Sequence, residues 1–304
     1  MKRDIKKTPI VSGRDFEMPF SSSILATSLE AIGLNFAASQ EIAEKIRAEL
    51  IKKKIKVIPR KKLRNMIYEE IKESGDKRTA DKYIKFRKIM ALDKPLIILM
   101  GGSTGSGKNT VSVEIAHRLD ITTVITSDII REIMRSLFTE GILPLIHSSS
   151  YLAYKNLWMP IEEEKDQRII AFREQALRVS VGIRGIIKRC INEKTSIIIN
   201  GVHVLPDIIS ENEYKNANII KVFLYVDGEE EHKERFYMRG KSSQQRSADR
   251  YLENFDTIRI IQDYVVREAK KQNYLCINNL DSRRTAIEII NNIIEKVSKK
   301  ELIN

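Results

Sequence analysis

The stretch Leu96-Ile97-Ile98-Leu99-Met100-Gly101-Gly102-Ser103-Thr104-Gly105-Ser106-Gly107-Lys108-Asn109-Thr110 constrains what this chain can fold into more than any other. Five apolar residues in a row suit a strand buried on both faces, and the glycines after them suit a loop whose backbone N–H groups turn inward around phosphate oxygens. Beyond the loop, Val111, Ile115, Ala116 and Leu119 recur at helical spacing, so a helix points its positive end at the anion. Against the template G-x-x-x-x-G-K-[ST], Gly102, Gly107 and Lys108 fit, with Lys108 positioned to reach the outer phosphates. The hydroxyl position holds Asn109 instead.

From Pro95 onward, candidate strands Leu96–Met100, Thr123–Ile125, Ser196–Asn200, Ile219–Val226 and Tyr274–Ile277 alternate with helical segments. That alternation predicts an α/β fold, a parallel sheet with flanking helices. A last helix, with Ala286, Ile290, Ile293, Ile294 and Val297 on one face, is expected to pack on the sheet. The chain before it is of another kind. A short hairpin turning at Ser12-Gly13 leads through Pro19-Phe20 to a serine cap at Ser21–Ser23. Four helical faces follow: Leu25, Leu29 and Ile32, ended by Gly33; Ile42, Ile46 and Leu50; Leu63, Met66, Ile67 and Ile71, opened by Pro59 and ended by Gly75; and Ala80, Tyr83, Ile84 and Met90. Asp93-Lys94-Pro95 makes a boundary, because proline disfavours helix just before it. Two domains are expected, 1–93 and 94–304.

Charge is divided unequally between them. Through Lys94 there are 23 Lys and Arg against 13 Asp and Glu, so +10 of the net +12 lies in the front part. Its densest run, Lys52-Lys53-Lys54-Ile55-Lys56 with Arg60-Lys61-Lys62, could meet a polyanion, but without interleaved aromatics it reads better as a solvated helix end than as a nucleic-acid surface. No apolar run approaches a membrane span and no signal core follows the basic start, so a cytoplasmic protein is expected. Cys190 and Cys276 have no paired spacing, which argues against a disulfide framework or a zinc site.

In an open parallel sheet the site lies beyond the carboxyl ends of the strands. After the second strand come Thr126-Ser127-Asp128 and then Arg131 and Arg135 on one helical face. There Asp128 could accept a hydroxyl proton and the arginines could hold anionic oxygens, the alternative being a capping aspartate with a solvated basic face. After the third strand, Asn200-Gly201-Val202-His203 offers close backbone approach and an imidazole. The polar loop Leu143–Tyr151 brings His147 and Tyr151. A basic segment, Arg235-Phe236-Tyr237-Met238-Arg239-Gly240 continuing to Arg246 and Arg250, could serve as an arginine lid over transferred phosphate, and the polar Ser242 to Gln245 stretch would supply its mobility. His117 and His232 lack such context and are read as surface residues.

The front segment, through its Pro19-Phe20 entry, helix order and Ala80-x-x-Tyr83-x-x-x-Arg87 pattern, resembles the ATP-cone, a small regulatory nucleotide-binding domain. With GGSTGSGKNT, TSDIIREIMR, LPLIHSSSY, NGVHVLP and RFYMRG, nearly the whole chain resembles the 2-phosphoglycerate kinases of methane-producing archaea. The resemblance implies a P-loop kinase-like domain behind a small, mainly helical ATP-cone-like one. It also implies transfer of the ATP γ-phosphate to 2-phosphoglycerate, giving the 2,3-bisphosphoglycerate used for cyclic 2,3-diphosphoglycerate. Gly102, Ser103, Thr104, Gly105, Ser106, Gly107, Lys108, Asn109 and Thr110 would then hold ATP. Asp128, Arg131, Arg135, His147, Tyr151 and His203 would lie near the acceptor, with Lys108, Asp128 and Arg239 carrying the chemistry. Mg²⁺ would meet Asn109 where the family has Ser or Thr, and Asn200 stands where the family has Glu. Two other readings remain open from the residues alone: a P-loop kinase of a nucleoside or polynucleotide, and a nucleotide-sensing regulator without catalysis.

Overall fold

The computed structural model describes residues 8–12, 17–74, 77–89, 93–157, 166–242 and 246–301. The expected turn at Gly13, the stop at Gly75 and the core position Met90 lie outside them. By its contacts the chain divides into two compact units, Met1–Leu92 with Ile287–Asn304, and Asp93–Ala286.

In the first unit, β1 (Ile10–Ser12) pairs antiparallel with β2 (Glu17–Pro19) and parallel with β3 (Val57–Pro59), so the expected hairpin gains a third strand. Four helices follow the expected faces: α1 (Ser22–Ala31), α2 (Phe36–Lys52), α3 (Arg60–Ser74) and α4 (Lys77–Ile89). Ser21 caps α1 by accepting from Ile24 N–H at 3.4 Å, and Asn35 caps α2 by accepting from Ala38 N–H at 2.8 Å. Leu29, Ile46, Leu50, Ile58, Ile71 and Phe86 form the buried centre of this unit.

The second unit is built on β4 (Leu96–Gly102), all seven residues of which are buried. Such a run fits only a central parallel strand covered on both faces. It lies between β6 (Ile197–Asn200) and β7 (Asn218–Tyr225); β5 (Val124–Thr126) flanks β6 and β8 (Leu275–Asn278) flanks β7. All four pairings are parallel, giving the strand order β5-β6-β4-β7-β8. The carboxyl ends of β5, β6 and β4 therefore open on one edge, where the chain order reverses across the sheet. The helices of this unit are α5 (Lys108–Arg118), α6 (Ser127–Leu137), the 27-residue α7 (Gln167–Glu193), α8 (Glu229–Ser242), α9 (Arg246–Glu253) and α10 (Phe255–Lys271). Ile97, Leu99, Phe172, Val179, Ile183, Ile199 and Phe223 interlock between sheet and helices, each burial contributing on the order of 1.5–3 kcal/mol.

The final helix, α11 (Ser282–Glu301), departs from expectation. Its apolar face is buried as predicted, but Ile287–Asn304 cluster with the first unit and not with the sheet. Helical periodicity identifies a buried face without identifying what covers it. Among the described residues, no helix is long and apolar enough to cross a membrane.

Candidate active site

In the loop between β4 and α5 the carbonyls of Ser103 to Ser106 are each engaged in a hydrogen bond from a side chain. Ser103 C=O accepts from Lys108 Nζ at 2.7 Å, and Thr104 C=O accepts from His232 Nε2 at 2.7 Å. Gly105 C=O accepts from Arg235 Nη1 at 3.4 Å, and Ser106 C=O accepts from Asn279 Nδ2 at 2.8 Å. Ser106 N–H donates back to Ser103 C=O at 3.3 Å, and α5 begins at this turn with its positive end, where an anion is favoured. Gly107 ends the loop at φ +83°, and a Cβ there would overlap the Asn279 carboxamide. Gln262 of α10 ties the loop to the sheet, its Oε1 accepting from Ser103 Oγ at 3.0 Å and from Val226 N–H at 3.1 Å.

His232 corrects the sequence reading. It is fully buried under the loop, stacked on Phe236 with ring centroids 5.2 Å apart, and is not a surface residue. Burial pushes its imidazole down to about 4, opposed by the bond to Thr104 and assisted by Arg259, Arg235 and Lys108.

Across the cleft, α6 begins at a cap supplied by Thr126, whose Oγ1 accepts from Ile129 N–H at 3.3 Å. Asp128 is thus left out of the cap. Its carboxylate stands 4.0 Å from Arg131 Nε and 3.9 Å from His203 Nδ1, and its side chain is 62% exposed. Asp128 and Arg131 line a cleft of about 400 Å³ together with Thr104, Gly105, Lys108, Asn109, Ser149, Ser150, Tyr151, Asn200 and Arg250. The phosphate loop and the expected acceptor elements therefore share one space.

Other expected residues lie apart from it. Arg135, one turn further along α6, pairs with Glu132 at 2.9 Å and does not line the cleft. His147 ends the 3-10 turn Pro144–His147 and donates from Nε2 to Phe138 C=O at 2.8 Å. His203 lies behind the cleft wall, 1% exposed, and burial lowers its imidazole to about 4. Arg239 is on α8, but its side chain and that of Arg246 lie outside the described residues, as do residues 243–245 of the expected lid.

Arg250 of α9, marked in the sequence as part of the basic lid segment, donates to Ser149 Oγ at 3.0 Å and faces the Tyr151 ring at 5.9 Å from its centroid. Tyr251 and Asn279 were passed over. Tyr151 meets Tyr251, which stacks on Phe236, so aromatic contacts join the acceptor loop to α8 and the phosphate loop. Asn279 follows β8 directly, and the rule that found the residues after β5 and β6 reaches it too.

An oxygen-ligated cation fits this cleft. Among the described residues no cluster of three or more His, Cys, Asp or Glu could hold a metal alone. Mg²⁺ in phosphate chemistry, however, is normally shared between one or two protein oxygens, water and the substrate phosphates. Asp128 and Asn109 both offer oxygens at the cleft. Asn200 is buried beside them, donating to Ser112 Oγ at 3.0 Å while its Oδ1 has no partner among the described residues. An orphaned buried acceptor suits the proton of a metal-bound water.

The chain is similar to known proteins over both of its units. Residues 10–91 match the family model described as the ATP cone domain. The chain is similar to the 2-phosphoglycerate kinase of Methanocaldococcus jannaschii, with 37% identity over 294 residues covering 97% of this chain and 94% of that protein. It is 38% identical to the 2-phosphoglycerate kinase of Methanopyrus kandleri over 292 residues, 96% of this chain and 88% of that protein. Among solved structures, shikimate kinase from Acinetobacter baumannii in complex with shikimate aligns with 69% of this chain and 98% of its own, at 18% identity and a TM-score of 0.34.

Proposed function

The chain belongs to the 2-phosphoglycerate kinase family, and from that premise we propose that it passes the γ-phosphate of ATP to the free hydroxyl of 2-phosphoglycerate, giving ADP and 2,3-bisphosphoglycerate. The observation that carries the reading is the single cleft in which Lys108 of the phosphate loop and Asp128 and Arg131 of α6 meet. The reaction belongs in the cytoplasm, where ATP is available.

In the proposed reaction, the hydroxyl oxygen of the acceptor forms a bond to Pγ as the bond from Pγ to the ADP oxygen breaks, and the hydroxyl proton passes to the Asp128 carboxylate. Such transfer is mostly positioning and charge stabilisation. Residues Gly102–Thr110 hold the ATP phosphates, with Lys108 as the mobile cation among fixed N–H dipoles. Arg131, Arg250 and Tyr151 hold the phosphate and carboxylate of the acceptor. Arg239 on α8 supplies further positive charge. Arg135, His147 and His203 act from outside the cleft, supporting α6 and the acceptor loop. Asn109 and Asp128 would hold Mg²⁺, which would supply positive charge against the ATP phosphates. The first unit serves as a nucleotide-responsive regulator, a role supported by its ATP-cone match.

The test is product formation from ATP with 2-phosphoglycerate and, separately, with 3-phosphoglycerate, each with and without Mg²⁺. Turnover of 2-phosphoglycerate alone, lost with EDTA, is expected. ATP binding without turnover would make the chain a nucleotide sensor, and preference for a nucleoside would make it a different kinase.

A further inference from the structure

Behind the acceptor wall runs a buried polar chain whose central residue, Gln175, no sequence motif marks. Gln175 sits in the middle of α7 among Ala171, Phe172, Ala176 and Val179, fully buried. Its Nε2 donates to Leu145 C=O and, at 3.0 Å, to Ser148 C=O. Both are acceptors only, so the amide orientation is settled and Oε1 faces His203 Nε2 at 3.0 Å. That oxygen can only accept, which requires the proton of neutral His203 to be on Nε2. Nδ1 is then a lone pair, accepting from Ser127 Oγ–H at 2.8 Å.

Each end of the chain holds one wall of the cleft. Ser127 opens α6 and immediately precedes Asp128. Gly201, at φ +150°, leaves room for its hydroxyl against the end of β6, where a Cβ would overlap Ser127 Oγ. At the other end, Ser148 C=O also accepts from Arg131 Nη1 at 3.0 Å, and Ile146 C=O accepts from the same nitrogen at 2.8 Å. The loop that presents Ser149, Ser150 and Tyr151 is therefore fastened through Gln175 and Arg131 to the helix that presents Asp128.

We propose that Gln175 is a positioning residue which, through His203 and Ser127, fixes the spacing between Asp128 and the Ser149–Tyr151 loop and so determines which phosphoglycerate isomer reacts. The inference rests on the reading that this cleft receives 2-phosphoglycerate. The 2- and 3-phospho isomers differ by exchanging hydroxyl and phosphate on adjacent carbons, so a wall free to shift by about 1 Å would blur the choice. A polar chain in which the Gln175, His203 and Ser127 side chains are all engaged resists that shift better than apolar packing, because sliding it leaves buried groups unpaired.

The experiment compares the full-length chain with Gln175→Met, which keeps the side-chain volume and removes the hydrogen bonds. In Gln175→Met the KM for 2-phosphoglycerate should rise at least tenfold, and the preference in kcat/KM for 2- over 3-phosphoglycerate should fall at least tenfold. The KM for ATP should stay within twofold. Two-bond ¹H–¹⁵N spectra should show His203 as the Nε2–H tautomer in the parent chain and as a mixture in the variant. Unchanged discrimination and acceptor KM in folded Gln175→Met, or an Nδ1–H tautomer in the parent, would overturn the proposal. Should Gln175→Met not fold, Ser127→Ala breaks the other end, and the same loss of discrimination is required of it. A parent chain inactive on 2-phosphoglycerate would defeat the acceptor reading instead, while the tautomer spectrum would still decide the hydrogen-bond chain.

Discussion

Lowering the pH from 7 to 5 should weaken the second unit through His232 in particular. In the folded chain its Nε2–H is committed to Thr104 C=O, and its Nδ1 is buried with no partner among the described residues. A second proton would place a charge in an apolar pocket beside Arg259, Arg235 and Lys108, which is why the folded imidazole titrates at about 4. In the unfolded chain a histidine titrates near 6.5. The unfolded state thus binds the extra proton first. The stability tied to neutral His232 is fully present above pH 6.5 and is lost as pH falls toward 4. One pKa unit corresponds to about 1.4 kcal/mol, so the loss approaches about 3 kcal/mol at pH 4 and is about 2 kcal/mol between pH 7 and pH 5. Urea unfolding of the parent and of His232→Gln, whose carboxamide can still donate to Thr104, isolates this contribution because other titrating groups are common to both. The parent should lose about 2 kcal/mol more than the variant between the two pH values. Equal losses would show that His232 is not held neutral by burial, and the reasoning would fail.

Two substitutions probe the cleft itself. Asn109→Ser restores a hydroxyl at the exposed start of α5 and should raise kcat at saturating Mg²⁺ more than tenfold, about 1.4 kcal/mol in the barrier; equal rates would remove position 109 from the metal site. Arg250→Gln cuts the contacts to Ser149 and Tyr151 and should raise the KM for 2-phosphoglycerate at least tenfold with the KM for ATP unchanged; steady-state kinetics showing the reverse pattern would assign Arg250 to the nucleotide.

The central strands were legible because strands buried on both faces are written as largely apolar runs; Leu96–Gly102 and Asn218–Tyr225 begin within a residue of where the sequence puts them. β3 was not legible, since Val57-Ile58-Pro59 is three residues long, follows a lysine-rich stretch and is a strand only by pairing with β1. In the cleft, Asp128 and Asn200 were reachable from the position of strand ends in the chain, and Tyr151 from the polar loop Leu143–Tyr151. Helical spacing put Arg131 and Arg135 on one face, yet one turn of rise carries Arg135 to Glu132 and away from the cleft. His232 sits in a run of glutamates and lysine, where local composition says surface and only tertiary packing says otherwise. Gln175 gave one faint signal, a polar residue inside an apolar helical stripe, which a reading tuned to loops and strand ends passes over.

The distant partners of the loop carbonyls bear on how the domain comes into being. Three of its four carbonyls are held by His232, Arg235 and Asn279, residues 128, 130 and 173 positions away from their partners in the chain. A nascent chain that has left the ribosome only as far as β7 already contains the whole glycine motif, but none of these three anchors. Contacts of such long sequence separation form late, after the loops they close have been ordered. The carbonyls of the glycine motif are therefore fully tied only once the chain through Asn279 has been made and folded.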